Sequence, residues 1–170
     1  GGRIYWIIDG YTTSRYYPYS EPYLRGRRGP SWLRDRAARI GAANYLRNSV
    51  KAVVDAYDGS VAFYVFEPDD PLIRMWQRVF PGLFEPREEM PDQLLAHVRY
   101  PEDFLRAQAE VYSKYHMTDP AVFYNQEDLW VRATEKYYAS VRPVEPYYVM
   151  WRPPGAADAE FVLMLPFTPK

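Results

Sequence analysis

Three carboxylates are the first side chains in this sequence whose chemistry could drive a reaction. Asp9 follows the apolar run Ile4-Tyr5-Trp6-Ile7-Ile8, Asp55 lies within Val50–Tyr57, and Glu67 follows Ser60–Phe66. Two carboxylates held a few ångströms apart can serve as general acid and base, or hydrolyse a glycosidic bond. Asp9 and Asp55 could face each other if their strands pair, which is the arrangement a hydrolase would need. Acids on strand ends and exposed faces are nevertheless far commoner than catalytic pairs. A second cluster, Glu67-Pro68-Asp69-Asp70-Pro71, offers clustered oxygen ligands of the kind Ca²⁺ prefers. It lacks the alternating spacing and internal Gly of a calcium loop. Its simpler role is to start a helix, with Asp70 as N-cap and Pro71 at the first helical position, where a missing N–H costs nothing.

Other chemistry is thinly provided for. Cysteine is absent, which excludes disulfides, thiol catalysis and Cys-type zinc sites. His97 and His116 are too far apart in sequence to bind a metal as an i, i+4 pair, and each falls near a helix end. There is no Gly-rich phosphate loop, no G-x-S-x-G elbow and no H-E-x-x-H. The sequence therefore calls for no cofactor and no metal. Arg25–Pro30 is basic, but the net charge of −1 does not describe a nucleic-acid binder.

Aromatic residues dominate instead. The chain of 170 residues holds 17 Tyr and 16 Pro. Tyr11, Tyr16, Tyr17, Tyr19 and Tyr23 crowd one stretch, in which Pro18 and Pro22 exclude a regular helix. Tyr combines a rigid apolar ring with a polar tip, which suits a recognition loop. The same rings could equally pin a long segment to the core.

The elements that must position these residues follow from periodicity. Ile4–Tyr11 reads as a strand covered on both faces, with Asp9-Gly10 a turn or bulge ending its pairing. Val50–Tyr57 and Ser60–Phe66 flank Asp58-Gly59, a dipeptide suited to a type I′ hairpin turn. Val50, Val53, Val54 and Tyr57 also fit a helical stripe. Ser31 is placed to cap a short helix over Trp32–Ile40. Further helices are expected over Leu72–Phe80, Pro91–Val98 and Pro101–His116, the last with a core-facing stripe made of one row, Phe104, Gln108, Val111 and Tyr115, and the next, Leu105, Ala109 and Tyr112. Thr118-Asp119-Pro120 repeats the cap-then-proline start. Tyr147–Arg152 and Phe161–Leu165 read as an antiparallel pair that joins Ile4–Tyr11, Val50–Tyr57 and Ser60–Phe66 in one sheet. The fold class is α+β: one domain over 1–170, an antiparallel sheet with a central Asp-Gly hairpin, and the helices of the middle segment packed on one face. The abrupt apolar ends suggest an excised piece of a longer protein.

Several long motifs resemble a known family. They are YWIIDGYTTS at Tyr5–Ser14, YPYSEP at Tyr17–Pro22, NYLRNSVKAVVDAYDGSVAFYVFEPDDP at Asn44–Pro71, FPGLFEPREEMP at Phe80–Pro91, HVRYPEDFLRAQAEVYSKYHMTDPAVFYNQEDLW at His97–Trp130 and FVLMLPFTP at Phe161–Pro169. Together they are similar to a large family of uncharacterised bacterial multispanning membrane proteins. The resemblance implies membrane helices followed by a large extracytoplasmic region, from which this fragment comes. The Arg-rich segment Arg25–Arg39 departs from the family's usual link. No catalytic residue is implied. The expected function is binding or assembly, with Tyr11–Tyr23 meeting a cell-envelope component or another part of the parent chain. The alternative is a carboxylate-based hydrolase acting on an envelope component.

Overall fold

Strands form where β-branched and aromatic residues concentrate. In a computed structural model that describes residues 2–22 and 43–170, β1 spans Tyr5–Ser14, β2 Tyr45–Asp55 and β3 Val61–Val65. They pair antiparallel in that order, and β4 (Phe84–Pro86) adds in parallel beside β3. The helical reading of Val50–Tyr57 is thereby excluded. The fold is α+β. The chain divides into two compact units, Gly1–Arg99 and Tyr100–Lys170. The expected helix over Trp32–Ile40 lies outside the described residues.

The two runs around Asp58-Gly59 do pair, but not through a type I′ turn. That turn needs a positive φ at both central residues, and here only Gly59 has one, at 73°. The ladder stops at Asp55, whose N–H donates to the Ser60 carbonyl at 3.0 Å, and the loop takes in Ala56 to Gly59. Side-chain capping explains the longer loop. The Asp55 carboxylate accepts the Tyr57 N–H at 2.8 Å, and the Asp58 carboxylate accepts the Ser60 N–H at 2.9 Å. Backbone groups satisfied in this way do not extend a ladder.

β1 also differs from its expected course. A bulge between Gly10 and Thr12 shifts the register without ending the pairing, which continues to Ser14 opposite Tyr45. Gly10 lets β2 approach closely there: a Cβ would sit 3.2 Å from both the Cβ and the carbonyl oxygen of Val50 and would press them back by a few tenths of an ångström.

Helical segments cover both sheet faces rather than one. Val50 and Val53 are an odd number of positions apart on β2 and so point to opposite faces. On one side Val50 and Val65 pack with Ile73 of α1 (Pro71–Val79), with Phe63 and Phe84 beside them. On the other, Val53 and Tyr64 pack with Met90, and with Leu94, Leu95 and Val98 in and after α2 (Asp92–Leu95). This second face also buries the lysine of an ion pair. Lys51, 4% exposed, donates to the half-buried Asp9, to Asn48 Oδ1 at 2.5 Å and to the Arg99 carbonyl at 3.3 Å.

The second unit begins with α3 (Glu102–Tyr115) and α4 (Pro120–Asn125). Asp119 caps α4 as expected, accepting the N–H groups of Ala121 and Val122 at 2.8 and 3.1 Å. Three strand pairs follow: β5 (Trp130–Arg132) with β10 (Phe167–Pro169), β6 (Thr134–Tyr137) with β7 (Ser140–Pro143), and β8 (Tyr147–Trp151) with β9 (Glu160–Met164). β8 and β9 thus pair with each other, as expected, but form their own sheet instead of joining β1–β3. The expected core stripe of α3 holds only in part: Ala109 is buried as expected, Val111, Tyr112 and Tyr115 are exposed, and Ala107, outside the stripe, is the other buried position.

The Asp9–Lys51 pair makes an asymmetric prediction. Asp9→Ala strands a buried ammonium and is expected to destabilise the protein by about 3 kcal/mol. Lys51→Met keeps the volume and leaves a carboxylate that water can reach, so its expected cost is below about 1 kcal/mol. Urea unfolding of the two variants checks this, and equal losses would contradict it.

Candidate binding surface

The aromatic stretch leaves β1 at Ser14 and is clamped at once. The Ser14 carbonyl accepts the Asn44 N–H at 2.9 Å, and the Ser14 hydroxyl accepts the Tyr16 N–H at 3.1 Å. The Asn44 side chain then bridges the loop. Its Oδ1 accepts the Tyr17 N–H at 3.0 Å, and its Nδ2 donates to the carbonyls of Tyr17 at 2.7 Å and Ser20 at 3.1 Å. Ser20 returns a bond from its hydroxyl to the Asn44 carbonyl at 3.2 Å. Three backbone groups of one loop are therefore held by a single amide.

Within that clamp the tyrosines diverge. Tyr17 stacks on Tyr45 of β2, with ring centroids 5.7 Å apart and planes inclined by 25°. Tyr16 is 89% exposed and Tyr19 fully exposed. Tyr19 follows Pro18 in a turn and has φ 56°, a left-handed conformation that normally favours Gly or Asn. A bulky residue held there stores about 1 kcal/mol or more of strain. Tyr11 lies half-buried in β1 at the bulge, away from this group. Tyr23 lies outside the described residues. Of the five tyrosines singled out from sequence, the structure brings Tyr16, Tyr17 and Tyr19 onto one clamped loop.

Behind the loop sits a polar node that sequence reading assigned only in part. Asp70 caps α1 as expected, accepting the Leu72 N–H on Oδ1 at 3.1 Å, with Pro71 at the first helical position. The same carboxylate is 5% exposed and accepts three hydroxyls. Tyr45 donates to Oδ1 at 2.7 Å, and Thr12 and Ser49 donate to Oδ2 at 2.6 Å each. Burial raises the energy of this carboxylate, but the bonds from Ser49, Thr12, Tyr45 and the Leu72 N–H outweigh it and hold its pKa below the ordinary 3.8. Burial, reinforced by the adjacent Asp70 charge, pushes the Tyr45 phenol up to about 12, so it stays a donor. Tyr45 thus links the node to the loop through its hydroxyl on one side and its ring on the other.

The carboxylates considered for catalysis do not converge. β1 and β2 are neighbours, but the register sets Asp9 opposite Lys51 and Asp55 opposite Tyr5. The two acids stand four positions apart along the ladder, about 13 Å, well beyond a catalytic carboxylate pair. Each also has its own cation. Asp9 binds Lys51, and Asp55 binds Arg3 at 2.7 Å, whose hydrogen bond holds the Asp55 pKa below its usual range. Glu67 is exposed, and its carbonyl accepts the Asp70 N–H at 3.1 Å. Asn44, Tyr45, Ser49 and Thr12 carried no signal of their own in sequence. Only the Asp70-Pro71 start signal pointed toward the node.

Fold and surface together define an α+β chain that displays aromatic rings from a clamped loop. The chain belongs to an uncharacterised protein family, UPF0182, whose family model matches residues 1–170. It is 50% identical over 169 residues to a UPF0182 protein of Methanospirillum hungatei, covering 99% of this chain and 18% of that relative. It is 52% identical over 166 residues to one from Thermosynechococcus vestitus, covering 98% of this chain and 16% of that one. A Salinibacter ruber relative is 52% identical over 169 residues, covering 98% and 17%. The chain therefore spans less than a fifth of each of these relatives. No solved structure matches it.

The node predicts an acid response. Above the ordinary carboxyl value the folded Asp70 contributes its full stabilisation, and this is lost as pH falls through the lower folded value. Asp70→Asn is expected to lower stability at neutral pH by about 2–4 kcal/mol. It should also flatten the acid side of the stability curve. Chemical unfolding at a series of pH values from neutral down to strongly acidic measures both, and an unchanged acid limb would contradict the assignment.

Proposed function

We propose that this chain is an extracytoplasmic binding or assembly module of a membrane-anchored protein, and that Tyr16 and Tyr19 are its contact residues toward a cell-envelope component. The observation that carries the reading is the pairing of exposed rings with a locked backbone. A loop held by Asn44 and by the Tyr17–Tyr45 stack has lost most of its conformational freedom before any partner arrives. The ordering cost of binding falls accordingly. Tyr16 and Tyr19 then supply rigid apolar area with polar tips, a common composition for binding hot spots. The left-handed Tyr19 fits the same logic, because strain at a non-glycine residue marks places where function sets the side chain.

The placement outside the cytoplasm is supported by the motifs that resemble multispanning membrane proteins. Among the described residues no helix is long and apolar enough to cross a membrane. The anchor in this reading belongs to the larger part of the protein beyond the matched region. In the full-length protein, proteolysis of this region in intact cells checks the placement. Protection until the membrane is broken would refute it.

One set of variants separates contact from scaffold. Tyr16→Ala with Tyr19→Gly removes both exposed rings and relieves the left-handed strain. Stability is expected to hold or rise by up to about 1 kcal/mol. Co-sedimentation with isolated cell envelopes is expected to fall at least about tenfold. Tyr17→Ala, which breaks the stack, is expected to lower the melting temperature. Unchanged co-sedimentation of the double variant would sink the proposal.

A further inference from the structure

β1 has the composition of an interior strand and the position of an edge strand. Tyr5, Trp6, Ile7 and Ile8 run without a Lys, Pro or Gly, the devices by which natural edges are protected. Asp9, the one charge in this half, is neutralised by Lys51. Yet among the described residues β1 has β2 as its sole strand neighbour. Its free side is defined by the ladder. The Ile4 carbonyl accepts the Ala56 N–H at 3.0 Å, so Ile4, Trp6 and Ile8 direct their backbone groups toward β2. Antiparallel alternation then turns the N–H and C=O groups of Tyr5, Ile7 and Asp9 outward.

The sheet face next to this edge is open as well. Trp6 is 64% exposed and Ile8 52%. Trp6 stands opposite Val54, which stands opposite the exposed Val61, and the exposed Ile4 precedes them on the same face. The apolar surface therefore runs across three strands beyond the part covered by Ile73. An open edge beside an open apolar face is the template for strand addition, in which main-chain bonds supply affinity and side chains on one face supply specificity.

We infer that the free edge of β1 is completed, in the full-length protein, by an extended segment of the same polypeptide lying outside this chain, which pairs with the backbone of Tyr5, Ile7 and Asp9 and lays apolar side chains over Trp6 and Ile8. The length of the relatives points to that source. More than four fifths of each lies beyond the matched region. A segment tethered in the same chain is present at high effective concentration, and its docking costs no loss of overall translation. A second copy has neither advantage. This surface is separate from the tyrosine loop, which leaves the opposite end of β1, and the inference stands whether or not that loop binds an envelope component.

The test uses the full-length protein. Amide hydrogen exchange is followed at Tyr5, Ile7 and Asp9, with Tyr19 as the exposed-loop reference and Trp6 and Ile8 as the paired reference. In parallel, p-benzoylphenylalanine replaces the exposed Trp6 and is photoactivated. Tyr5, Ile7 and Asp9 are expected to exchange at least about a hundredfold more slowly than Tyr19. The cross-link is expected within one polypeptide, to a peptide outside residues 1–170. Exchange as fast as that of Tyr19 overturns the inference. So does a cross-link within residues 1–170, a cross-link between two copies, or the absence of any.

Discussion

A single buried carboxylate holds the first unit together. Asp70 receives hydroxyls from β1 and β2 and a backbone N–H from α1, so one side chain ties the paired strands to the start of the helix. A buried charge is costly unless its lone pairs are filled. Here four donors fill them, and each donor is in turn fixed by the carboxylate. Ser49 is fully buried and Thr12 nearly so, positions that hydroxyls tolerate only with such a partner. The bulge after Gly10 fits the same scheme, because it shifts the register of β1 just before Thr12 enters the node.

The loop inherits its order from that node. Tyr45 is oriented by its bond to Asp70, and Tyr17 rests on the ring of Tyr45. Asn44, the residue before Tyr45, grips the loop backbone at Tyr17 and Ser20. Two kinds of tyrosine result from one sequence cluster. Tyr17 stacks one ring face on Tyr45 and stays about half exposed, while Tyr16 and Tyr19 are left to solvent. Of the two readings of the aromatic stretch, pinning describes Tyr17, whose ring is stacked, and the rings of Tyr16 and Tyr19 have no such part.

Charge is handled differently at Lys51. Lys51 is buried with its stem among apolar neighbours, and its Nζ lies 5.8 Å from the centre of the Phe66 ring. Its counter-ion Asp9 reaches water. The pair sits on β1 and β2 at directly opposed positions, which helps specify register, since a slip of one residue between the strands would part the two charges onto opposite faces. The same register holds Asp55 beside Arg3 and keeps it far from Asp9. The arrangement favours a structural role for these acids over a shared reactive one.

The sequence by itself determined what depends on a few consecutive residues. Asp70-Pro71 and Asp119-Pro120 start helices because cap, proline and first turn are neighbours in the chain. The strand segments and the α+β class follow from local composition, and the family from long motifs. Tertiary structure decided what depends on distant pairing. Asn44 meets Tyr17 across 27 positions, and Thr12 meets Asp70 across 58. The loop after Asp55 turned on which side-chain oxygens captured the Tyr57 and Ser60 N–H groups, a competition that the Asp-Gly dipeptide does not reveal. Whether β8 and β9 joined the first sheet, and which row of α3 was buried, turned on packing between elements. Periodicity states that a face is apolar. Only the folded chain states what, if anything, comes to cover it, because burial belongs to a pair of surfaces and sequence pattern describes one.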